Sequence, residues 1–566
     1  MAASQRKPIH DQPKLCDHIL SRVAKSDVSL RVGQSLIPKA GSGLFAVNDI
    51  AAGSEIFRSH PLIMVSESAH QDICDFCFLN SNSSVNGDGR FYTPSEDDSR
   101  PRMAPCAACR VAYYCSKKCQ AKAWKSYHKY ECAVLQQNPD LGSVQQALCR
   151  LLFWIKKSVI SAEDMRVIMA LETEFEARME RARRAGSDGV PEFDMSLEVA
   201  SNLHSAMNPG ISLNECRQLY CAIGTNALAI RPSEVEAAYG TCLDLVVSLI
   251  NHCCDENAFI FFEGRELRCR AVKDMAAGTE ITVCYQGARE NVLHRRRTLR
   301  NLFYFSCDCC KCKSEMAEHV AAAVNRQNHL DILRTAQDDL NKLEYKYTTA
   351  ISTSANPLKT IMEYQTKLLD IEQDVYQGGN WPDHIEPMPS ALRALGCMYL
   401  DLKYIVGLEF VLKGTFYSRN HAGLRWVIDL TQLVKYMIYL SQVRDESLNW
   451  TGSGPPEVMG GRITMQEAAR GYMIIVCLSG SFAFGVNTKF VRALYNWAGN
   501  ILERPGAHNV DTEEFIERFK ESQDKLLTWA KMKTSRGLEL PSKDTIARLR
   551  RDIADVDAGG HPKVDE

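Results

Sequence analysis

Residues 30–65 carry short apolar runs broken by glycine, a spacing that predicts strands joined by turns rather than helices. At their centre stands Gly41-Ser-Gly43-Leu-Phe-Ala-Val-Asn-Asp-Ile-Ala-Ala-Gly53-Ser-Glu55-Ile56, and much of it returns later. Ala271-Val-Lys-Asp-Met-Ala-Ala-Gly278-Thr-Glu280-Ile281 follows Ala46-Val-Asn-Asp-Ile-Ala-Ala-Gly53-Ser-Glu55-Ile56 nearly position for position, each copy reading as strand, glycine turn, strand. Two copies of one unit so far apart predict a single β-rich domain whose sequence is interrupted.

Residues 143–202 turn helical, with Leu148, Leu151, Leu152 and Ile155 at helix spacing and a charged run over 172–184. A loop is expected at 186–192. Strand-like patterning resumes at Ile223-Gly-Thr-Asn226-Ala-Leu228-Ala-Ile230 and 243–250. A hairpin follows, out along 258–262, turning at Glu263-Gly264 and back along 267–272. Beyond Cys312, amphipathic stretches at 320–349, 358–376, 390–412, 424–443, 464–478, 490–502 and 513–531 predict an all-α array, with Asp511 and Glu514 marking one helix start. Residues 554–566 read as an unstructured tail.

Composition narrows the picture. The 566 residues leave room for three or four domains, and 45% hydrophobic with 24% charged residues is an ordinary globular balance. A net charge of −2 excludes the strongly basic nucleic-acid binders. The first residues are polar and carry no apolar core segment, so no secretory signal is expected. The longest uncharged apolar stretch, 471–486, is shorter than the roughly 20 residues a membrane span needs and reads as a buried helix. Twenty-two cysteines are therefore expected to stay reduced, which turns attention to metal.

Their spacing supports that. Residues 74–132 contain Cys74-x2-Cys77, Cys106-x2-Cys109, Cys115-x3-Cys119 and His128-x3-Cys132, eight ligands that suit two closed tetrahedral zinc sites. Residues 80–105 between them are long and polar and are expected to form a disordered surface loop. Lys117, Lys118, Lys122, Lys125 and Lys129 read as a solvated face around zinc rather than a phosphate-binding surface. A second concentration starts at Ser248-Leu-Ile-Asn251-His252-Cys-Cys254, passes Glu280-Ile-Thr-Val-Cys-Tyr285 and ends at Phe305-Ser-Cys307-Asp-Cys309-Cys-Lys-Cys312. Cys254, Cys307, Cys309 and Cys312 supply thiolates for a third zinc. Cysteines such as Cys16, Cys149, Cys216, Cys397 and Cys477 are scattered and read as small core residues.

The order Asn-His, hairpin, Glu-Ile-x-x-x-Tyr, Phe-x-Cys-x-Cys-x2-Cys, preceded by the cysteine-rich insert, resembles the SET-and-MYND (SMYD) family of protein lysine methyltransferases. The resemblance implies an α+β fold: a β-rich SET domain split by a MYND zinc finger, a cysteine-rich post-SET segment and an all-α, tetratricopeptide-like C-terminal array. No clean 34-residue signature supports the last label independently. The expected divisions are a polar segment at 1–29, SET residues 30–70, the finger at 74–132, a helical insert at 143–222, the SET core at 223–286, post-SET at 287–313, the helical domain at 318–535 and a tail at 536–566. The family's interleaved finger would give Cys74, Cys77, Cys115 and Cys119 one zinc, and Cys106, Cys109, His128 and Cys132 the other.

By the same resemblance Gly41, Ser42, Gly43 and Leu44 match the S-adenosylmethionine loop, Asn251 and His252 the Asn-His cofactor contacts, and Phe305 the aromatic that covers the adenine. Ser248 lies where a further contact is expected. Tyr285 matches the catalytic tyrosine, which also orients the methyl donor and lines the lysine channel. Two departures stand out. Cys253 and Glu256 replace the family's usual serine and proline, so Cys253 can compete for metal and Glu256 lacks proline's fixed φ. Leu228 stands where an aromatic often narrows the substrate channel, which leaves the methylation state open.

The expected function is S-adenosylmethionine-dependent lysine methylation of histone or non-histone proteins, with three zinc ions. The alternative is a non-catalytic adaptor, against which the retained Asn251, His252, Tyr285 and Phe305 argue. The family adds a proline-containing peptide as ligand of the finger. A monomer in cytoplasm and nucleus is expected, with no membrane contact and no dominant binding to DNA.

Overall fold

The computed structural model describes residues 7–23, 28–67, 71–81, 83, 101–185, 192–233, 238–285, 290–322, 329–352, 356–376, 384–419, 426–444, 447–450, 460–503 and 509–557. Most of the polar loop expected at 80–105, nearly all of that at 186–192, and the end of the chain beyond 557 lie outside them. The chain divides into two units: Met1–Val283 with Leu302–Tyr304 and Thr488–Phe490, and Cys284–Asn301 with Phe305–Asn487 and Val491–Glu566.

The strands of the first unit are β1 (Leu30–Gln34), β2 (Ser42–Ala46), β3 (Glu55–Ser59), β4 (Ile63–Ser66), β5 (Ala104–Pro105), β6 (Tyr113–Tyr114), β7 (Leu228–Ala229), β8 (Gly240–Leu243), β9 (Asn251–His252), β10 (Ala258–Glu263), β11 (Glu266–Ala271) and β12 (Thr282–Val283). They form small sheets: β1 with β2, β10-β11-β3, β4-β8-β7, β5 with β6, and a parallel β9–β12 pair. The hairpin closes one residue later than expected. Glu263 pairs with Glu266, and Gly264, at φ 61, turns the chain with Arg265.

The repeated segments pair with each other. Ile50 and Met275 exchange both backbone hydrogen bonds, at 2.8 and 2.9 Å, and equivalent bonds flank them on either side: Gly53 N–H donates to Ala271 O and Gly278 N–H to Ala46 O, each at 2.8 Å. Asp49 accepts the N–H of Ala277, and Asp274 accepts that of Ala52, both at 2.8 Å. Each copy therefore satisfies a turn donor of the other, and the pair has a local two-fold relation.

β4 and β8 are adjacent, with Ile63 opposite Leu243, so the chain from 67 to 227 leaves the sheet and re-enters it through β7 and then β8, beside its point of exit. That excursion holds the cysteine-rich insert and helices Ser143–Lys156, Ala162–Ala170, Phe175–Ala185, Glu192–Met207 and Leu213–Asn226. The last overturns the strand expected from Ile223. Ser212 and Glu215 form a reciprocal capping box, and the helix it starts runs through Asn226, leaving only Leu228–Ala229 as strand. Upstream, Pro13–Leu20 is a helix with Leu15 and Ile19 buried.

The second unit is helical. Cys310–Ala322 and His329–Ser352 are helical over the described part of the stretch expected as a helix at 320–349, with 323–328 outside the described residues. Met388–Asp401 and Val406–Tyr417 replace the single helix expected at 390–412, turning at Lys403 with φ 63. Those two helices cross at glycines: a Cβ on Gly407 would lie 2.5 Å from Gly396 O, and one on Gly414 2.5 Å from Pro389 O. Pro357–Tyr376, Trp426–Gln442, Gly461–Phe484, Lys489–Leu502 and Glu513–Trp529 complete the array, Lys489–Leu502 beginning within the first unit. Residues 543–557, read as tail, form the helix Lys543–Asp557, which buries Ile546, Leu549, Ile553 and Val556 at helix spacing. Among the described residues no helix is long and apolar enough to cross a membrane.

Candidate active site and metal centres

The insert brings its eight ligands into two groups, Cys74, Cys77, Cys115, Cys119 and Cys106, Cys109, His128, Cys132, with the ligand atoms of each within 4.8 Å of one another. Zinc with bonds of about 2.3 Å needs tetrahedral sulfurs about 3.8 Å apart. Cys77–Cys115 and Cys115–Cys119 stand at 3.6 Å and Cys106–Cys132 at 3.8 Å, so the donors fit. Ser116 caps the helix Lys117–Ala123 by accepting the N–H of Cys119 at 3.2 Å, which fixes that ligand. His128 and Cys132, four residues apart, share a helical face.

A buried chain of charges extends from the second group. His128 Nε2 lies 3.6 Å from Cys109 Sγ, and its Nδ1 faces Glu131 Oε1 at 3.7 Å. Arg150 donates to both Glu131 oxygens, at 2.9 and 2.8 Å, and to the carbonyl of Met64 in β4. Burial alone would raise the Glu131 carboxyl, but Arg150 and His128 outweigh it and hold it at about 2. Arg150 also lies 3.6 Å over the Tyr127 ring, whose hydroxyl donates to Asp75 O at 2.8 Å.

In the second unit Cys307, Cys309 and Cys312 bring their sulfurs within 4.8 Å of one another. Arg295, 1% exposed, points Nη2 at Cys312 Sγ (3.9 Å) and at Glu315 (2.6 Å). Cys254, the fourth ligand of the expected set, belongs to the first unit and is buried. Its neighbour Cys253 is half-buried and donates its N–H to Val283 O at 3.1 Å.

The expected cofactor loop runs from Gly41, at φ 71, into β2. Asn251 Nδ2 donates to Ser42 O at 3.0 Å and to Glu280 Oε1 at 2.8 Å. Gly43 has no room for a side chain: a Cβ there would lie 2.6 Å from Glu280 Oε1 and 3.3 Å from Asn251 Nδ2. Only glycine lets this backbone lie against the Glu280 carboxylate and the Asn251 amide. Ser248 sits in a 3-10 turn packed on β2 and donates its hydroxyl to Asp244 O at 2.7 Å. His252 is buried with Nε2 3.2 Å from Cys254 Sγ. Leu228 lies in a different sheet, opposite Cys242. Tyr285 and Phe305, both half-buried, belong to the second unit.

Two residues at this loop escaped the sequence reading. Glu280 entered only as a member of the repeat and of the Glu-Ile-x-x-x-Tyr motif, with no role of its own, and its repeat counterpart Glu55 binds Arg58 at 2.5 Å instead, so the repeat held no signal for that role. His10 reaches Ser42 Oγ with its backbone N–H, at 3.2 Å, and its ring Nδ1, at 3.0 Å, from a segment read as merely polar.

The SET domain family matches residues 41–286, a span that begins at Gly41 and ends just past Tyr285. Histone-lysine N-methyltransferase SMYD3 of Homo sapiens is 29% identical over 364 residues, covering 61% of this chain and 78% of that protein. SET domain and MYND-type zinc finger protein 6 of Schizosaccharomyces pombe is 26% identical over 289 residues, 50% of this chain and 52% of the relative. N-lysine methyltransferase SMYD2-B of Xenopus laevis is 23% identical over 287 residues, 50% and 60% of the two chains. A SET domain carrying a zinc-ligand insert, relatives named as SMYD lysine methyltransferases and as a SET and MYND-type zinc finger protein, and three cysteine-rich zinc sets agree: the chain belongs to the SMYD family of S-adenosylmethionine-dependent protein lysine N-methyltransferases.

Proposed function

We propose that Tyr285 is the catalytic residue of this lysine methyltransferase, and that Gly41, Ser42, Gly43, Leu44, Ser248, Asn251, His252 and Phe305 hold the cofactor. Leu228 and Tyr285 line the lysine channel in this reading. The observation that carries it is the Asn251 side chain bonded to Ser42 O, 3.0 Å away, which ties the Asn-His segment to the glycine loop next to Gly43. Bound S-adenosylmethionine supplies an electrophilic methyl group. The chain's own task is positioning, a contribution that reaches on the order of 7 kcal/mol or more for well-oriented reactants. The Tyr285 hydroxyl orients the incoming amine. A lysine amine must also lose its proton, against a free pKa of about 10.4, and a dry channel favours the neutral form.

Histone and non-histone proteins are both proposed as substrates, because the relatives include a histone-lysine and an N-lysine methyltransferase by name. The finger is proposed to bind a proline-containing peptide, and the protein to work as a monomer in cytoplasm and nucleus. Calorimetry with S-adenosylmethionine and radiolabelled methyl transfer to a protein extract test the site. Tyr285→Phe keeps the ring packed and should bind cofactor like wild type while losing about a hundredfold in rate, ~3 kcal/mol for one hydrogen bond at the reacting centre. Asn251→Ala should instead weaken cofactor binding. Equal rates for Tyr285→Phe and wild type would remove Tyr285 from catalysis.

A further inference from the structure

Resting on that assignment of the cofactor loop, we infer that Glu280 is a positioning residue: its carboxylate clamps the 35–43 loop and the Asn251 amide in the arrangement that receives the cofactor. Glu280 is 6% exposed, and three donors from two distant parts of the chain converge on it. Ser35 Oγ donates to Oε1 at 2.7 Å, Asn251 Nδ2 donates to the same oxygen at 2.8 Å, and Leu36 N–H donates to Oε2 at 2.7 Å. A buried acidic group that receives donors on both oxygens holds its neighbours as well as itself. Ser35 N–H in turn donates to Gly41 O at 2.9 Å, which closes the loop on the glycine that opens it.

The consequence for Asn251 is chemical. Its two amide hydrogens go to Glu280 Oε1 and Ser42 O, both acceptors, so the amide cannot be turned over without setting Oδ1 against oxygen. Glu280 thereby decides which face of Asn251 is left to offer its carbonyl oxygen. It also explains Gly43, since any Cβ at that position would strike a carboxylate already fixed by three bonds.

Glu280→Gln tests this with the shape preserved. The new amide nitrogen must face either Leu36 N–H or Asn251 Nδ2, donor against donor, so one of the clamp's bonds is lost and replaced by repulsion. The full-length, zinc-loaded variant should bind S-adenosylmethionine at least tenfold more weakly by calorimetry. The KM for S-adenosylmethionine should rise in parallel, kcat at saturating cofactor should stay within threefold of wild type, and the zinc content should be unchanged. Wild-type affinity in Glu280→Gln, with Asn251→Ala still impaired, overturns the clamp alone. No binding by wild type instead overturns the cofactor-site assignment on which the clamp rests. A fall in kcat with unchanged KM marks a structural role and also overturns it. If Glu280→Gln is insoluble, Ser35→Ala withdraws one donor and leaves the carboxylate in place. A several-fold weaker affinity in that variant supports the clamp, and an unchanged one overturns it.

Discussion

Replacing Arg150 by methionine should cost about 3–5 kcal/mol, the usual penalty for leaving one member of a buried ion pair alone. The site meets every condition for the full penalty. Arg150 is 2% exposed and Glu131 0%, and the pair is bidentate, at 2.8 and 2.9 Å. Methionine fills much of the volume but returns none of the donors, so Glu131 and the Met64 carbonyl lose their partner together. At about 1.4 kcal/mol per factor of ten, local opening around the second metal group should become on the order of a hundredfold to a few thousandfold more frequent. Zinc transfer to a chromophoric chelator, in the regime where opening limits access, reads that change directly. The urea midpoint of the zinc-loaded protein should fall with it. Adding Glu131→Gln to Arg150→Met removes the stranded charge and should recover at least half of the loss. The reasoning is refuted if Arg150→Met speeds zinc release by less than tenfold, or if the double variant is no better than the single one.

Cys119→Ser should reduce the metal content from three zinc ions to two by elemental analysis, because structural zinc supplies folding energy to the group it closes and leaves the others intact. Gly407→Ala should lower stability by about 1–3 kcal/mol or more, since its methyl group would be driven against the Gly396 carbonyl at 2.5 Å and the helices must separate to admit it. Thermal unfolding followed by circular dichroism checks this, and a melting temperature equal to wild type would mean that the crossing is looser than drawn.

What was legible in the sequence was what local chemistry enforces. Zinc ligands in small structural sites come mostly as close pairs, so Cys106 with Cys109 and His128 with Cys132 announced themselves, and the family's interleaved order matched the two groups found. The repeat was visible as well, but not that its copies bind each other. That depends on Asp49 meeting Ala277 across the fold, which no window of sequence contains. Glu280 and His10 stayed hidden for the same reason. Helix errors had local causes. The break near 402–405 uses Lys403 in the left-handed region, with neither glycine nor proline to mark it. The apolar stripe of Lys543–Asp557 is thinned by charged residues on its other faces. At Ile223 a strand-like string lost to a helix begun eleven positions earlier at Ser212.

The adjacency of β4 and β8 has a consequence for how the enzyme comes into being. Bringing Ile63 beside Leu243 closes a loop of about 180 residues, an entropic cost of about 4–5 kcal/mol on a (3/2)RT ln n scaling, before β4 gains a neighbour. The offset comes from within the loop: helix Ser143–Lys156 packs on both strands, and its Arg150 ties Met64 to Glu131 beside the zinc ligand His128. A nascent chain without zinc lacks the body that holds this closure, and it leaves the unpaired edge of β4 open to other chains. The supply of zinc in the cell should therefore set how many molecules mature, a yield distinct from the turnover of each molecule once folded.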